Sequence, residues 1–148
     1  ARRSVRDAPV AMSDSENERI VTEFLTALRE KDFGTAEKLL DDDLVYQNVG
    51  LPTIRGGRRT IKLFEALPRL GFDVAVHRSA TDGDTVLNER TDVLSVGPLH
   101  VKFWVCGVFE IHDGRITLWR DHFDAFDVAK AIARGMVGVA VPSRRPTL

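Results

Sequence analysis

The sequence has little cysteine, no long apolar run and no excess of charge of one sign. Cys106 is the only cysteine among 148 residues, so these residues form no disulfide with one another, and we expect a reducing, cytoplasmic setting. The 21 basic and 22 acidic residues give a net charge of -1, which offers no reason to expect nucleic acid as a partner. No apolar run approaches the ~18 residues that a membrane-spanning helix needs.

Several motifs of common catalytic and cofactor sites are also missing. The sequence has no G-x-S-x-G elbow, no dinucleotide-binding fingerprint and no zinc motif, and its four histidines lack metal-ligand spacing. A covalent serine mechanism therefore has little support. The opening residues lack the apolar segment of a secretory signal. We expect residues 1–14 to form a disordered leader or a remnant of expression, with Met12 as a candidate natural start, ahead of one domain over residues 15–148.

The first half of the chain has the apolar spacing of helices, interrupted by one short strand. A three-to-four-residue period predicts helices over residues 15–30, 33–40 and 58–70. Residues 44–48 predict a strand that places Tyr46 and Asn48 on one face. We expect exposed loops at residues 41–43, which are all aspartate, and at residues 50–57, which contain proline and glycine.

From residue 72 the pattern changes to the two-residue period of strands. It predicts four strands, at residues 72–79, 85–96, 101–112 and 115–123, joined by short links. Such links, including the hairpin signal Asp113-Gly114, make antiparallel neighbours. Helices followed by a strand meander indicate the α+β class, with a curved, largely antiparallel sheet. An apolar helix at residues 125–141 then caps the sheet, forms a dimer surface or contacts a membrane, and the sequence leaves this choice open.

Charged side chains recur on one face of two of these strands. Asn88, Arg90 and Asp92 alternate along the second, and Asp121 shares a face with Trp119 on the fourth. If the two strands meet in one sheet, a guanidinium can donate hydrogen bonds to both carboxylates. Two carboxylates in an apolar cavity do not ionise equally, so one could act as a general acid and the other as a general base. The same residues would equally make an ordinary structural ion pair.

Further residues would complete such a site. Tyr46 and Asn48 could fix a water molecule beside a carboxylate, which lowers the entropic part of the barrier. Apolar side chains would form the substrate-binding wall and raise the pKa of the acid by desolvation. The predicted substrate-binding residues are Leu28, Leu94, Phe103, Val105 and Phe123.

Three stretches of the chain resemble the signature segments of the limonene-1,2-epoxide hydrolase family. They are Tyr46-Gln47-Asn48, the segment ERTDVL at residues 89–94 and the segment WRDHFD at residues 119–124, with Gly107-Val108-Phe109 between the last two. Their order and spacing match as well, and the resemblance is closest to the mycobacterial members. One departure is His122, where the family often has tyrosine; it lies on the face opposite Asp121.

The resemblance implies the cone-shaped α+β fold of ketosteroid isomerase and nuclear transport factor 2, a homodimer, and no cofactor or metal. Carried over residue by residue, it implies that Asp121 deprotonates water held by Tyr46 and Asn48. It implies that Asp92 protonates the epoxide oxygen and that Arg90 bridges the two aspartates.

We therefore predict an epoxide hydrolase that adds water to a small lipophilic epoxide in one step and releases a vicinal diol. One alternative is an isomerase or cyclase of the same superfamily, which would need a carboxylate base near an oxyanion donor but no arginine-bridged pair. The other is a non-catalytic module whose cavity binds an apolar ligand.

Overall fold

The computed structural model describes residues 14–148. The predicted leader at residues 1–14 lies outside the described residues, except for Asp14, which begins the first helix. A single 3₁₀ turn, at Pro142–Arg144, follows the last helix. The helices are α1 (Asp14–Glu30), α2 (Phe33–Leu39), α3 (Gly57–Glu65) and α4 (Ala125–Ala140), and the strands are β1 (Leu40–Asn48), β2 (Ile54–Arg55), β3 (Leu70–Asp82), β4 (Thr85–Val96), β5 (Leu99–His112) and β6 (Arg115–His122).

The six strands form one open sheet in the order β2-β1-β6-β5-β4-β3. Strands β3 to β6 make the antiparallel meander that their short links predict, and β2 is antiparallel to β1. Strand β1 instead runs parallel to β6, which joins the first and last parts of the sheet. The α+β class is confirmed, with a sheet that is antiparallel at every pair but one.

Helix α1 supplies much of the core. Ile20, Phe24 and Leu28 on its inner face are buried, as their helical spacing predicts. The ring of Phe24 packs edge-on against Phe109 of β5 and Trp119 of β6. The helix thereby covers one face of the sheet, and the cavity described below opens between its carboxyl end and the strands.

Three local predictions in the first half of the chain are wrong. Residues 41–43 belong to strand β1 but fall in a register irregularity, because β1 pairs with β6 at Leu40 and again from Val45, and the three aspartates continue the extended chain between these two points. The predicted loop at residues 50–57 contains the two-residue strand β2. Helix α3 ends at Glu65, five residues early, so Leu67 is 48% exposed and Leu70 begins β3.

Helix α4 packs on the sheet through its small residues. A Cβ added to Gly135 would lie 2.4 Å from the carbonyl oxygen of His100, so glycine permits this close approach to β5. Large apolar residues point outward, with Phe126 72% and Met136 58% exposed. None of the helices between residues 14 and 148 combines the length and apolar character that crossing a lipid bilayer requires.

Candidate active site

Arg90 lies at the centre of a buried cluster on β4, β5 and β6. Alternation along β4 places Asn88, Arg90 and Asp92 on the inner face, and Asp121 lies on β6. Gly107 of β5 is the register partner of both Asn88 and Asp121. A Cβ at Gly107 would lie 2.3 Å from Arg90 Nη1, so the guanidinium can cross β5 only because this residue is glycine.

Arg90 holds both carboxylates and is itself 0% exposed. Its Nε donates to Asp92 Oδ1 at 2.9 Å and its Nη2 donates to Asp92 Oδ2 at 3.2 Å. Nη2 also contacts Asp121 Oδ2 at 2.7 Å, and Nη1 donates to Asn88 Oδ1 at 3.1 Å. Every donor nitrogen of the guanidinium thus has a partner, which is what permits a charged side chain to be buried.

Burial governs the protonation of this cluster. It raises the pKa of Asp92 to about 6, although the Arg90 charge opposes the shift and the Asp121 charge adds to it. Burial also raises the pKa of Asp121, partly offset by Arg90. For Arg90, burial lowers the pKa, but the charges of Asp121 and Asp92 outweigh that effect and raise it, so the guanidinium stays protonated. With both carboxylates ionised the cluster carries one net negative charge, and one added proton makes it neutral.

Two residues of β1 lie beside this cluster because of the parallel pairing. Asn48 is the register partner of Asp121, and Tyr46 is that of Trp119. Asn48 Nδ2 donates to the Tyr46 hydroxyl oxygen at 2.8 Å, and the Tyr46 ring stacks on Trp119 with 4.1 Å between ring centroids. Burial raises the pKa of Tyr46 to about 12, so its hydroxyl keeps its proton.

Two buried polar atoms of this cluster have no hydrogen-bond partner among the described residues. They are Asp121 Oδ1 and Trp119 Nε1. The indole N–H of Trp119 faces the Asp121 carboxyl closely enough to lower its pKa, although the geometry falls short of a hydrogen bond. Asp121 therefore has one oxygen anchored by Arg90 and one free to accept a hydrogen bond from a molecule in the cavity.

These groups line the buried end of an apolar cavity of about 460 Å³. Tyr46, Asn48, Asp92 and Asp121 contribute to its wall, whereas Arg90 lies behind the aspartates. All five residues predicted to bind substrate line the same cavity: Leu28, Leu94, Phe103, Val105 and Phe123. Val128 and Ile132 complete the wall, so helix α4 contributes to this cavity.

Three residues of the cluster were not assigned a role from the sequence. Asn88 occupies a donor of Arg90, Gly107 makes room for it, and Trp119 stacks on Tyr46. The period-two pattern places Asn88 and Trp119 on the right faces, but the need for glycine appears only once β5 lies between β4 and β6.

His122 is exposed on the opposite face, as alternation predicts. Within residues 14–148, His, Cys, Asp and Glu side chains form no group of three or more that could hold a metal ion.

Comparison with known proteins identifies the family. The sequence pattern of the limonene-1,2-epoxide hydrolase catalytic domain matches residues 15–134. The chain belongs to the limonene-1,2-epoxide hydrolase family. Epoxide hydrolase EphG of Mycobacterium tuberculosis (strain ATCC 25618 / H37Rv) is 57% identical over 129 residues, which cover 86% of this chain and 87% of EphG.

Solved structures agree with membership of the limonene-1,2-epoxide hydrolase family. A limonene-1,2-epoxide hydrolase-like epoxide hydrolase from M. tuberculosis superposes with a TM-score of 0.89 at 55% identity, covering 91% of this chain and 97% of that one. An NTF2-like protein of unknown function from Burkholderia pseudomallei K96243 has a TM-score of 0.70 at 19% identity, covering 82% and 98%. The second likeness supports the cone-shaped fold alone.

Proposed function

We propose that this protein is an epoxide hydrolase, which adds water to a lipophilic epoxide in one step and releases a vicinal diol. The observation that supports this best is the free Asp121 Oδ1, buried beside Asn48 at the end of an apolar cavity. A carboxylate with one oxygen anchored and the other unpartnered suits a general base. Family membership and the similarity to EphG support the same reaction.

The attacking water is held by three groups of this site. Its two hydrogens point to Asp121 Oδ1 and to Asn48 Oδ1. The hydrogen bond from Asn48 Nδ2 to the Tyr46 hydroxyl fixes the orientation of the amide and leaves its oxygen available to the water. The Tyr46 hydroxyl proton is donated to one lone pair of the water. The second lone pair is then the only one left to attack an epoxide carbon, so the direction of attack is fixed before the reaction begins.

Asp92 donates a proton to the epoxide oxygen as the C–O bond breaks. Burial raises the pKa of both aspartates, so geometry assigns the roles: Asp121 has the shorter contact with Arg90, at 2.7 Å, and a free Oδ1, which suit the ionised base and leave the proton to Asp92. A protonated Asp92 gives up one of its two contacts with Arg90, which frees that oxygen to face the cavity.

The charge of the cluster does not change during this step. Asp121 accepts a proton from water while Asp92 gives one to the leaving oxygen, so the two carboxyl groups and Arg90 remain neutral in sum. In an apolar cavity this avoids the large cost of creating net charge. After the diol leaves, one proton returns from Asp121 to Asp92 directly or through solvent.

The reaction is tested by oxygen labelling and by one substitution. In single-turnover hydrolysis with ¹⁸O-water, we expect label in the diol and none in the protein. Label on an aspartate would show that a covalent ester forms and would refute the one-step mechanism. Asp121→Asn should abolish diol formation while the fold stays intact, with His122→Tyr on the opposite face as the control. Near-normal turnover by Asp121→Asn would refute the assignment.

We also propose a homodimer that needs no cofactor, as the family resemblance implies. Sedimentation velocity over a range of protein concentrations tests the dimer, and a single species at monomer mass would refute it. Turnover should survive dialysis against a chelator, and loss of activity restored by an added metal would refute cofactor independence.

The rival isomerase or cyclase function is separated by substrate. An isomerase would shift the double bond of a β,γ-enone, using a carboxylate base and an oxyanion donor. The arginine-bridged pair of aspartates adds a proton donor and a proton acceptor at the same site, which ring opening by water requires and isomerisation does not. We expect diol from an epoxide panel and no change in the enone. Binding without turnover of either substrate would instead favour a ligand-binding module.

A further inference from the structure

Lys31 has an unusual backbone conformation for a lysine. It follows the last turn of α1 with φ at +58°. Its N–H donates to Leu28 O at 3.2 Å, and the next N–H, of Asp32, donates to Ala27 O at 2.9 Å. Glycine is the usual residue at this position of such a helix end, because any Cβ is strained in the left-handed region. The backbone therefore gives no reason for a lysine here.

The side chain of Lys31 extends across the rim of the cavity. Its Nζ donates to Pro68 O at 2.8 Å, in the turn between α3 and β3. Lys31 forms part of the cavity wall together with Leu28, Phe33 and Phe72. Lys31 is exposed, whereas Asp92 and Asp121 in the same wall are buried. The ammonium is thus held at the open end of the cavity by a contact that uses one of its three N–H donors.

The charges of the wall are separated between its two ends. Among the described residues that form the wall, Lys31 is the only cation, and the carboxyl groups of Asp92 and Asp121 both lie at the buried end. Apolar side chains line the space between them. A carboxylate that entered first would lose its hydration in the apolar cavity and face the ionised Asp121 at its end, whereas at the rim it would meet an ammonium with two free donors.

We propose that Lys31 selects and orients epoxides that carry a carboxylate at the far end of an apolar chain. The carboxylate pairs with Lys31 Nζ at the rim, and the chain then directs the epoxide ring toward Asp92 and Asp121. This inference rests on the proposed hydrolase function and names its substrate class. Lys31 makes no contact with the reacting atoms, so its effect is on binding and orientation.

The experiment compares each ω-epoxy carboxylic acid of a chain-length series with its methyl ester. Lys31→Met keeps the length and apolar stem of the side chain and removes the charge. We expect the acid-to-ester ratio of kcat/KM to fall by about two- to fivefold, the range of an exposed ion pair, through a higher KM for the acid. Lys31→Arg should restore the ratio. Lys38→Met, at an exposed position outside the cavity wall, should leave it unchanged.

The outcomes separate this inference from the proposed function. Because Lys31→Met also loses the contact with Pro68, a purely structural role would lower turnover of acid and ester alike and leave their ratio unchanged. That result would overturn the role of Lys31 while the hydrolase function stands. If the wild-type protein hydrolyses neither compound and no other epoxide of the panel, the hydrolase function fails. Calorimetry then tests the rim by itself, by comparing the affinity for decanoate with the affinity for methyl decanoate. If this ratio of affinities is the same in the wild-type protein and in Lys31→Met, the inference is overturned.

Discussion

Asn48 and Asp121 are register partners in the parallel pairing of β1 with β6. This pairing places an amide and a carboxylate side by side at the end of the cavity, although they come from opposite halves of the chain. Neighbouring side chains on one face of a sheet are close enough to share a single bound molecule. The proposed water site is therefore a product of strand register and does not depend on a mobile loop.

Removing the Asn48 amide should impair catalysis without affecting the outer face of the sheet. We expect Asn48→Ala to lower kcat/KM by about ten- to a hundredfold, because the water loses one of its three fixed partners. Gln47→Ala is the matched control: its side chain accepts a hydrogen bond from Arg120 Nε at 2.8 Å and does not line the cavity. Equal losses in the two variants, measured by initial rates of diol formation, would contradict the water-binding role.

The raised pKa of Asp92 should make the folded protein less stable as pH rises from about 4 to about 6. In that interval the folded state holds a proton on Asp92 that the unfolded chain has released, so unfolding releases a proton. The contribution is fully present below pH 4 and is lost as pH rises through 6, with a slope of up to about 1.4 kcal/mol per pH unit. Asp92→Asn should remove this part of the slope, which urea unfolding at several pH values measures.

The activity of the wild-type protein should fall on the alkaline side of a pH profile. Asp92 must carry a proton to open the ring, and burial raises the pKa of Asp92 to about 6. We expect kcat/KM to fall tenfold per pH unit above that value. A profile that stays flat from pH 5 to 9 would show that the proton comes from another group.

Gly107→Ala should disable the site without touching an acid or base. The added methyl group would meet Arg90 Nη1 and Asn88 Oδ1, so the buried guanidinium must move away from its carboxylates. We expect turnover to fall at least about a hundredfold, with a loss of about 1–3 kcal/mol in the free energy of unfolding from overpacking. Gly34→Ala in α2, where the nearest neighbour of the new Cβ would be Asp32 Oδ1 at 3.8 Å, is the control and should leave turnover unchanged without lowering the free energy of unfolding.

The hydrophobic periods and short links of the sequence predicted the features that depend on residues close together in the chain. Alternation placed Arg90 and Asp92 on one face of β4, and short links predicted the antiparallel meander. The parallel pairing of β1 with β6 has no local turn signal, because its two strands are joined through most of the chain. The strand at residues 41–43 was missed for the same reason, since these residues lie between two points at which β1 pairs with the distant strand β6, at Leu40 and from Val45.

The orientation of α4 shows a second kind of limit. Its helical apolar period predicts an amphipathic helix but does not show whether the large or the small residues face the sheet. In the structure, Gly135 and Ala131 face inward while Phe126 and Met136 are exposed, because close packing on β5 excludes large side chains. The role of Gly107 likewise depends on the two strands that flank it, and sequence spacing alone does not reveal it.

The parallel β1–β6 pairing also fixes when the site forms during synthesis. Strand β1 leaves the ribosome before its partner, which becomes available only after the chain has been translated past His122. Until then α1 to β1 have no sheet edge to join, and β3 to β5 can pair only among themselves. A nascent chain halted before Arg115 would contain Asp92 and Arg90 but no Asp121, so the water-activating half of the site is completed only after β6 has been translated.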